Sequence, residues 1–262
     1  MQRGEQVEQY VGPDRRQRKR SVEAPPLQRE RVLNADSQRC DEILAIISHD
    51  LRAPLLTIST CAHALQRGSS DVHELADVID GAASWSTRLI SDMLMLMSFE
   101  TGRFVLHCHA TSLREILESL RTLFAPAAHA AGLHLQVDGP VAEHTVHVDA
   151  DRVTQAVGNL ITNALRASPP DGVVRVDASI HDGMLSIDVI DHGPGIPAER
   201  LEYLLGGHPL RRDPQRSGSG FGLAITKGII AAHGGMIHAT SAEGHGTAFS
   251  CRLPLVCHPT EE

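Results

Sequence analysis

The chain has 262 residues, 42% of them hydrophobic and 21% charged, enough for one large or two small globular domains. Aromatic residues make up only 3%, so the core must be built from Leu, Ile, Val and Ala. A formal charge of -8 argues against nucleic acid as the main partner. No apolar run is long enough to cross a bilayer and the amino terminus lacks a signal-peptide core, so a cytoplasmic location is expected.

Residues 1–34 read as a disordered or loosely helical tail, with a basic cluster, "GPDRRQRKR", ahead of Pro25 and Pro26. From about Ala35 to Arg67 apolar residues recur every three or four positions: Leu44, Ile47, Leu51, Leu55, Ile58, Ala62 and Leu65. "RGSSDVHE" breaks this helix, and Ser70 or Asp71 can cap a second one, from about Val72 to Phe99. The second stripe is Leu75, Ile79, Ala82, Leu89, Met93 and Leu96. One hairpin buries only one side of each helix, so a second copy should complete a four-helix bundle.

After "ETGRF" the texture becomes mixed. "SLREILESLRTLF", "DADRVTQAVGNLITNALRAS" and "GFGLAITKGIIAAHGG" read as helices, the last ending at Gly234. "LHLQVDG", "TVHVD", "GVVRVDASI", "MLSIDVID", "MIHATS" and "TAFSCRLPL" read as strands, with Asp182 and Gly183 as a hairpin turn. The expected fold is α+β: a dimeric helical hairpin over 35–102, then a single antiparallel or mixed sheet with about three helices over 103–256. A tail over 257–262 closes the chain. The five cysteines, Cys40, Cys61, Cys108, Cys251 and Cys257, show no metal-ligand spacing, and their odd number does not suggest a disulfide framework.

Four places ask for chemistry. His49 lies nearly opposite the stripe of its helix, which puts it on the outside of the bundle. It is either an ordinary surface histidine or a nucleophile whose tautomer Asp50 selects. Pro54 removes the helical partner of the Asp50 carbonyl and lets the helix bend there. "DHGPGIP" puts Asp191 at a strand end before Gly193 and Gly195, which suits either a plain turn or recognition of an amino group on a planar ring. Gly218, Gly220 and Gly222 precede an apolar helix, a weak signal for anion binding without the dinucleotide or P-loop context. Asn159 and Asn163 share one helix face and can either complete a Mg²⁺ shell or form a plain polar stripe.

Taken in order, these segments resemble the two-component sensor histidine kinases. "SHDLRAPL" is similar to the phosphoacceptor box, "NLITNALRAS" to the asparagine box, "DHGPGIP" and "GSGFGLAI" to the glycine boxes, and "EGHGTAFSCRLP" to the closing segment. "LISDMLMLMSFETG" looks like the second dimerisation helix and its exit.

The resemblance implies a dimeric phosphoacceptor hairpin bearing His49 and a Bergerat-type ATP-binding sandwich. It implies that Asn159 and Asn163 serve the metal and phosphates, that Asp191 reads adenine, and that Gly193, Gly195, Gly218, Gly220 and Gly222 form the nucleotide loops. The implied cofactors are ATP and Mg²⁺, and the implied partners are a second copy and the receiver domain of a response regulator. The implied reaction is autophosphorylation of His49 and transfer of that phosphate to an aspartate.

Three positions depart from the pattern. Arg166 and Ala167 stand where relatives often carry a lysine and an aromatic; arginine can still contact phosphate. "LEYLLGGHPLRRDPQ" replaces the usual phenylalanine-rich box. Ala53 follows His49 by one turn, where many relatives carry Thr or Asn. These departures frame the competing expectation, a non-catalytic dimeric phosphotransfer or scaffold protein whose ATP domain has decayed.

Overall fold

The computed structural model describes residues 26–69, 71–140, 143–206 and 220–256, with side chains from Ile43 onward. The basic cluster of the tail, Ser70, Gly218, most of the segment before the last glycines, and the closing tail with Cys257 lie outside those residues.

Helix α1 runs over Pro26–Gln66 and α2 over Val72–Glu100. Helix α1 thus starts at Pro26 rather than near Ala35, and it continues unbroken through Pro54. Proline is well placed at a first helical position, where its missing N–H has no partner to lose. Asp71 is the N-cap of α2 without a capping hydrogen bond from its side chain.

The expected α1 stripe divides between two directions. Ile43, Ile47, Asp50, Pro54 and Cys61 are buried, and they recur at helical spacing. They lie on the hairpin side, where Ser86, Leu89 and Leu96 are the buried residues of α2. Leu44 and Leu55, by contrast, remain 38% and 55% exposed. Leu56, Ile90 and Leu94 are exposed as well. A single antiparallel neighbour covers only part of a stripe this wide, so an apolar face is left over.

The remaining elements are β1 (His109–Ser112), α3 (Leu113–Ala130), β2 (His134–Asp138), β3 (Thr145–Val148), α4 (Ala150–Ala167), β4 (Val173–His181), β5 (Met184–Asp191), α5 (Ala198–Leu205), α6 (Gly222–Ala232), β6 (Met236–Ser241) and β7 (Thr247–Pro254). One expectation needs correction here. The strands form a five-stranded sheet, β2-β4-β5-β7-β6, plus a separate two-stranded sheet of β1 and β3, rather than one sheet. Strand β1, four residues reading "HATS", is not evident in the sequence, because so short a polar run carries no alternation. Helix α5 is not evident either, since it has no buried residue to reveal its face.

Within the large sheet β2 and β4 pair in parallel, and the other neighbours are antiparallel. Asp182 and Gly183 both take positive φ, 52° and 75°, which a two-residue type I′ hairpin turn requires. One face of the sheet is apolar and covered. Val176 pairs with Val189, Ile187 with Cys251, and Leu185 with Leu253, all buried. Helix α4 lies against this face with Val153, Ala156, Val157, Leu160, Ile161 and Ala164 buried. Since strand side chains alternate, Asp191 shares the covered face with Val189 and ends its row.

One buried knot ties α4 to the rest. The Asp149 carboxylate accepts hydrogen bonds from the Arg152 N–H (3.1 Å) and the His107 N–H (2.9 Å). Its own N–H donates to Nε2 of His233 at 3.1 Å, so Nδ1 carries the ring proton and donates to the Ile229 carbonyl at 2.8 Å. His233 is 1% exposed, and burial lowers its pKa; the Ile229 carbonyl and the Asp149 charge oppose that shift. A depressed pKa means the unfolded chain binds the proton more readily, so folding stability is lost as pH falls below about 6.5. Urea midpoints should therefore fall through that window, and less steeply for His233→Gln than for the wild type.

Candidate functional site

Helix periodicity places His49 as the sequence suggested. Its side chain is 69% exposed while that of Asp50 is 6% exposed, so the pair straddles the surface of the hairpin. His49 Nδ1 lies 3.2 Å from Asp50 Oδ1. A carboxylate can only accept, so this contact favours the tautomer with the proton on Nδ1 and leaves the Nε2 lone pair facing solvent. Ala53, one turn on, is exposed and offers no polar side-chain atom beside the ring.

A cleft of about 1180 Å³ opens along the other side of the hairpin. Asn159, Asn163 and Arg166 from α4 line it, together with Asp191, Gly195, Gly220 and Gly222. Apolar packing of α4 on the sheet turns its asparagines away from the core and toward this space. Asn159 Nδ2 donates to the Gly222 carbonyl at 3.2 Å, which joins the asparagine helix to the start of α6 and leaves the amide oxygen as an acceptor. Partial burial lowers the pKa of Arg166 from its usual value, and the nearby Arg88 guanidinium lowers it further.

Asp191 is buried, and its Oδ1 accepts the Gly193 N–H at 2.8 Å. Two glycines pack tightly in the loops around it. Gly246 has φ +83°, and a Cβ there would overlap the Asp191 carbonyl. Gly195 has φ +75°, and a Cβ there would strike the Ala242 carbonyl.

Most of the expected cleft residues are thus brought together. Gly193 supports Asp191 without lining the space, and Gly218 lies outside the described residues. His49 and Asp50 do not line the cleft. Several contributors were not expected. Thr247 pairs with Asp191 across β5 and β7 and is hydrogen-bonded to Ser241 at 2.9 Å. Its strand register would have revealed it. Trp85 and Arg88 come from α2, and Tyr203 from α5. Nothing in sequence distinguishes a helix face turned to another domain from one turned to water. Trp85 and Phe124 supply aromatic surface in a cleft where Ala167 supplies none.

Comparison with known families agrees with this geometry. Residues 41–102 match the His Kinase A (phospho-acceptor) domain, and residues 148–256 match the histidine kinase-, DNA gyrase B- and HSP90-like ATPases. The chain belongs to the sensor histidine kinases.

It is 31% identical over 223 residues to the adaptive-response sensory kinase SasA of Synechococcus sp. (strain JA-3-3Ab), covering 82% of this chain and 59% of that protein. It is 34% identical to the histidine protein kinase DivJ of Caulobacter vibrioides, covering 82% of this chain and 37% of that one. The chain therefore spans about three-fifths or less of these relatives. The solved complex of histidine kinase ThkA with response regulator protein TrrA shares the fold, with a TM-score of 0.67 at 21% identity over 92% of this chain and 69% of that one. Among the described residues, no helix of this chain is long and apolar enough to cross a membrane.

The glycine constraint is testable without any ligand. Gly195→Ala places a side chain at positive φ against backbone, which costs about 1–3 kcal/mol. Its thermal midpoint should fall below that of the wild type, whereas Gly183→Asn, at an open turn with no neighbour within 4 Å of an added Cβ, should be nearly neutral.

Proposed function

We propose that this histidine kinase phosphorylates itself at His49 from ATP and passes the phosphate to an aspartate on a response regulator. The observation that carries the proposal is the pairing of an exposed histidine, polarised by a buried aspartate, with a cleft that combines Asp191, two cleft-facing asparagines and a cationic wall. The carboxylate of Asp191 suits the amino group of adenine. Asn159, Asn163 and Arg166 suit the phosphate end. Glycine at the start of α6 leaves backbone N–H groups near an anion.

Magnesium fits the donor set, because amide oxygens are hard ligands and phosphate oxygens would complete the shell. When bound, it would neutralise charge on the phosphates. Among the described residues, no cluster of three or more His, Cys, Asp or Glu could hold a metal without the nucleotide.

In the proposed reaction the Nε2 lone pair attacks the γ-phosphorus, the bond from phosphorus to the β,γ-bridging oxygen breaks, and ADP leaves with that electron pair. Asp50 holds Nδ1 and balances the positive charge that the ring acquires. Few side chains are needed, since phosphoryl transfer depends mainly on positioning and charge neutralisation. His49 lies outside the cleft, so the ATPase domain must move relative to the hairpin, or the acceptor belongs to a second protomer. The regulator is proposed because the ThkA fold relative is solved with such a protein.

Incubation with γ-labelled ATP tests the reaction. Label should appear on the wild type as acid-labile phosphate and vanish in His49→Gln, which should still bind ATP. Labelling that survives in that variant overturns the assignment, and a wild type that binds ATP without labelling supports a scaffold.

Asp191→Asn and Asn163→Ala should each weaken ATP-Mg²⁺ about tenfold to a hundredfold by calorimetry, the cost of losing a hydrogen bond to a charged group. Unchanged affinity in both would remove the site.

The exposed apolar face of Leu44, Leu55, Leu56, Ile90 and Leu94 motivates a proposed homodimer through the hairpin. Light scattering should give twice the chain mass, and a double Leu55→Glu, Leu56→Glu variant should shift it to the monomer.

A further inference from the structure

The proposed chemistry uses residues of the ATPase domain and of α1, yet the cleft is also walled by α2. Arg88 of α2 and Arg166 of α4 line the same space, and their charges are close enough to repel. Among the described residues, neither guanidinium has an ion-pair partner. Asp92, one turn beyond Arg88, also lines the cleft. Two unpaired cations that converge on a concave site stabilise a polyanion and destabilise the empty state.

Helix geometry fixes Arg88 in this place. Phe99 lies eleven residues further along α2, so the two project within about 20° of each other, on one face and about 16 Å apart. The Phe99 ring occupies the space that a side chain at Gly228 of α6 would fill. Phe99 also packs on Phe104, with ring centroids 4.4 Å apart. That contact seats the ATPase domain on α2, with Arg88 lining the same cleft as Asn163 and Arg166.

We propose that Arg88 is a nucleotide-positioning residue: it reaches from the phosphoacceptor hairpin to the phosphates of ATP bound in the same chain's cleft. This rests on the assignment of the cleft to ATP. Its consequence is regulatory. Bound triphosphate would bridge the two domains of one chain and favour the docked arrangement, in which His49 stays out of the cleft. Release of the Arg88 contact would then accompany the movement toward the acceptor histidine.

Calorimetry on the full chain with ATP-Mg²⁺, ADP-Mg²⁺ and adenosine tests the idea. Arg88→Gln should lose about tenfold or more in affinity for ATP, less for ADP, and nothing for adenosine. Arg88→Lys should recover part of the loss, since it keeps the charge without the planar fork. The ATP affinity of the wild type should also fall more steeply with salt than that of Arg88→Gln. Equal ATP affinity in Arg88→Gln and wild type overturns the proposal, and so does an equal loss for adenosine, which would mark a general structural effect. If the wild type binds neither ATP nor adenosine, the assignment of the cleft fails with it; if it binds both and only the Arg88 series is flat, the cleft stands and Arg88 has no part in it.

Discussion

Everything in the catalytic half depends on the burial of one face of α4 against the sheet. Val153, Ala156, Val157, Leu160, Ile161 and Ala164 leave the helix no freedom to rotate. Each fully buried Val, Leu or Ile side chain contributes about 1.5–3 kcal/mol, so a rotation that exposed this face would cost more than the domain could tolerate. The asparagines and Arg166 are thereby forced into the cleft. The same face meets the row of strand residues that ends in Asp191, so one packing event places both Asp191 and the asparagines at the cleft.

The connection between the halves is specified by a few contacts. Phe99 fills the gap at Gly228, Arg152 lies 5.6 Å over the Phe104 ring, and the His107 N–H is held by Asp149. These contacts join the end of α2 to the first turn of α4 and to α6. Lys227, next to Gly228, donates to the carbonyls of Leu204 and Leu205 at 3.1 and 2.7 Å and closes the end of α5. The face of α6 that meets the hairpin is thus adjacent to the residue that holds α5.

The sequence determined the elements whose physics is local. Repeating apolar positions specified both long helices, period-two alternation gave the central strands, and the Asp182–Gly183 dipeptide demanded its turn. The exposure of His49 followed from helix geometry alone. So did the shared face of Asn159 and Asn163, and the strand-end position of Asp191 came from the point where alternation gives way to glycines. Ordered boxes of glycine, asparagine and aspartate then made the family legible, because that chemistry needs those residue types in that sequence.

Tertiary structure decided what no local pattern encodes. The split of the α1 stripe between α2 and an open face depends on how two helices cross, and the stripe is too continuous to show it. Strand β1 exists only because β3 offers it backbone partners, and α5 because Lys227 and the cleft hold it. Thr247 joins the site through strand register. Trp85 and Arg88 join it because Phe99 finds a place without a side chain at Gly228, two hundred-odd positions into the chain. Periodicity reports which side of a helix is apolar; it carries no information about which distant surface the polar side will meet.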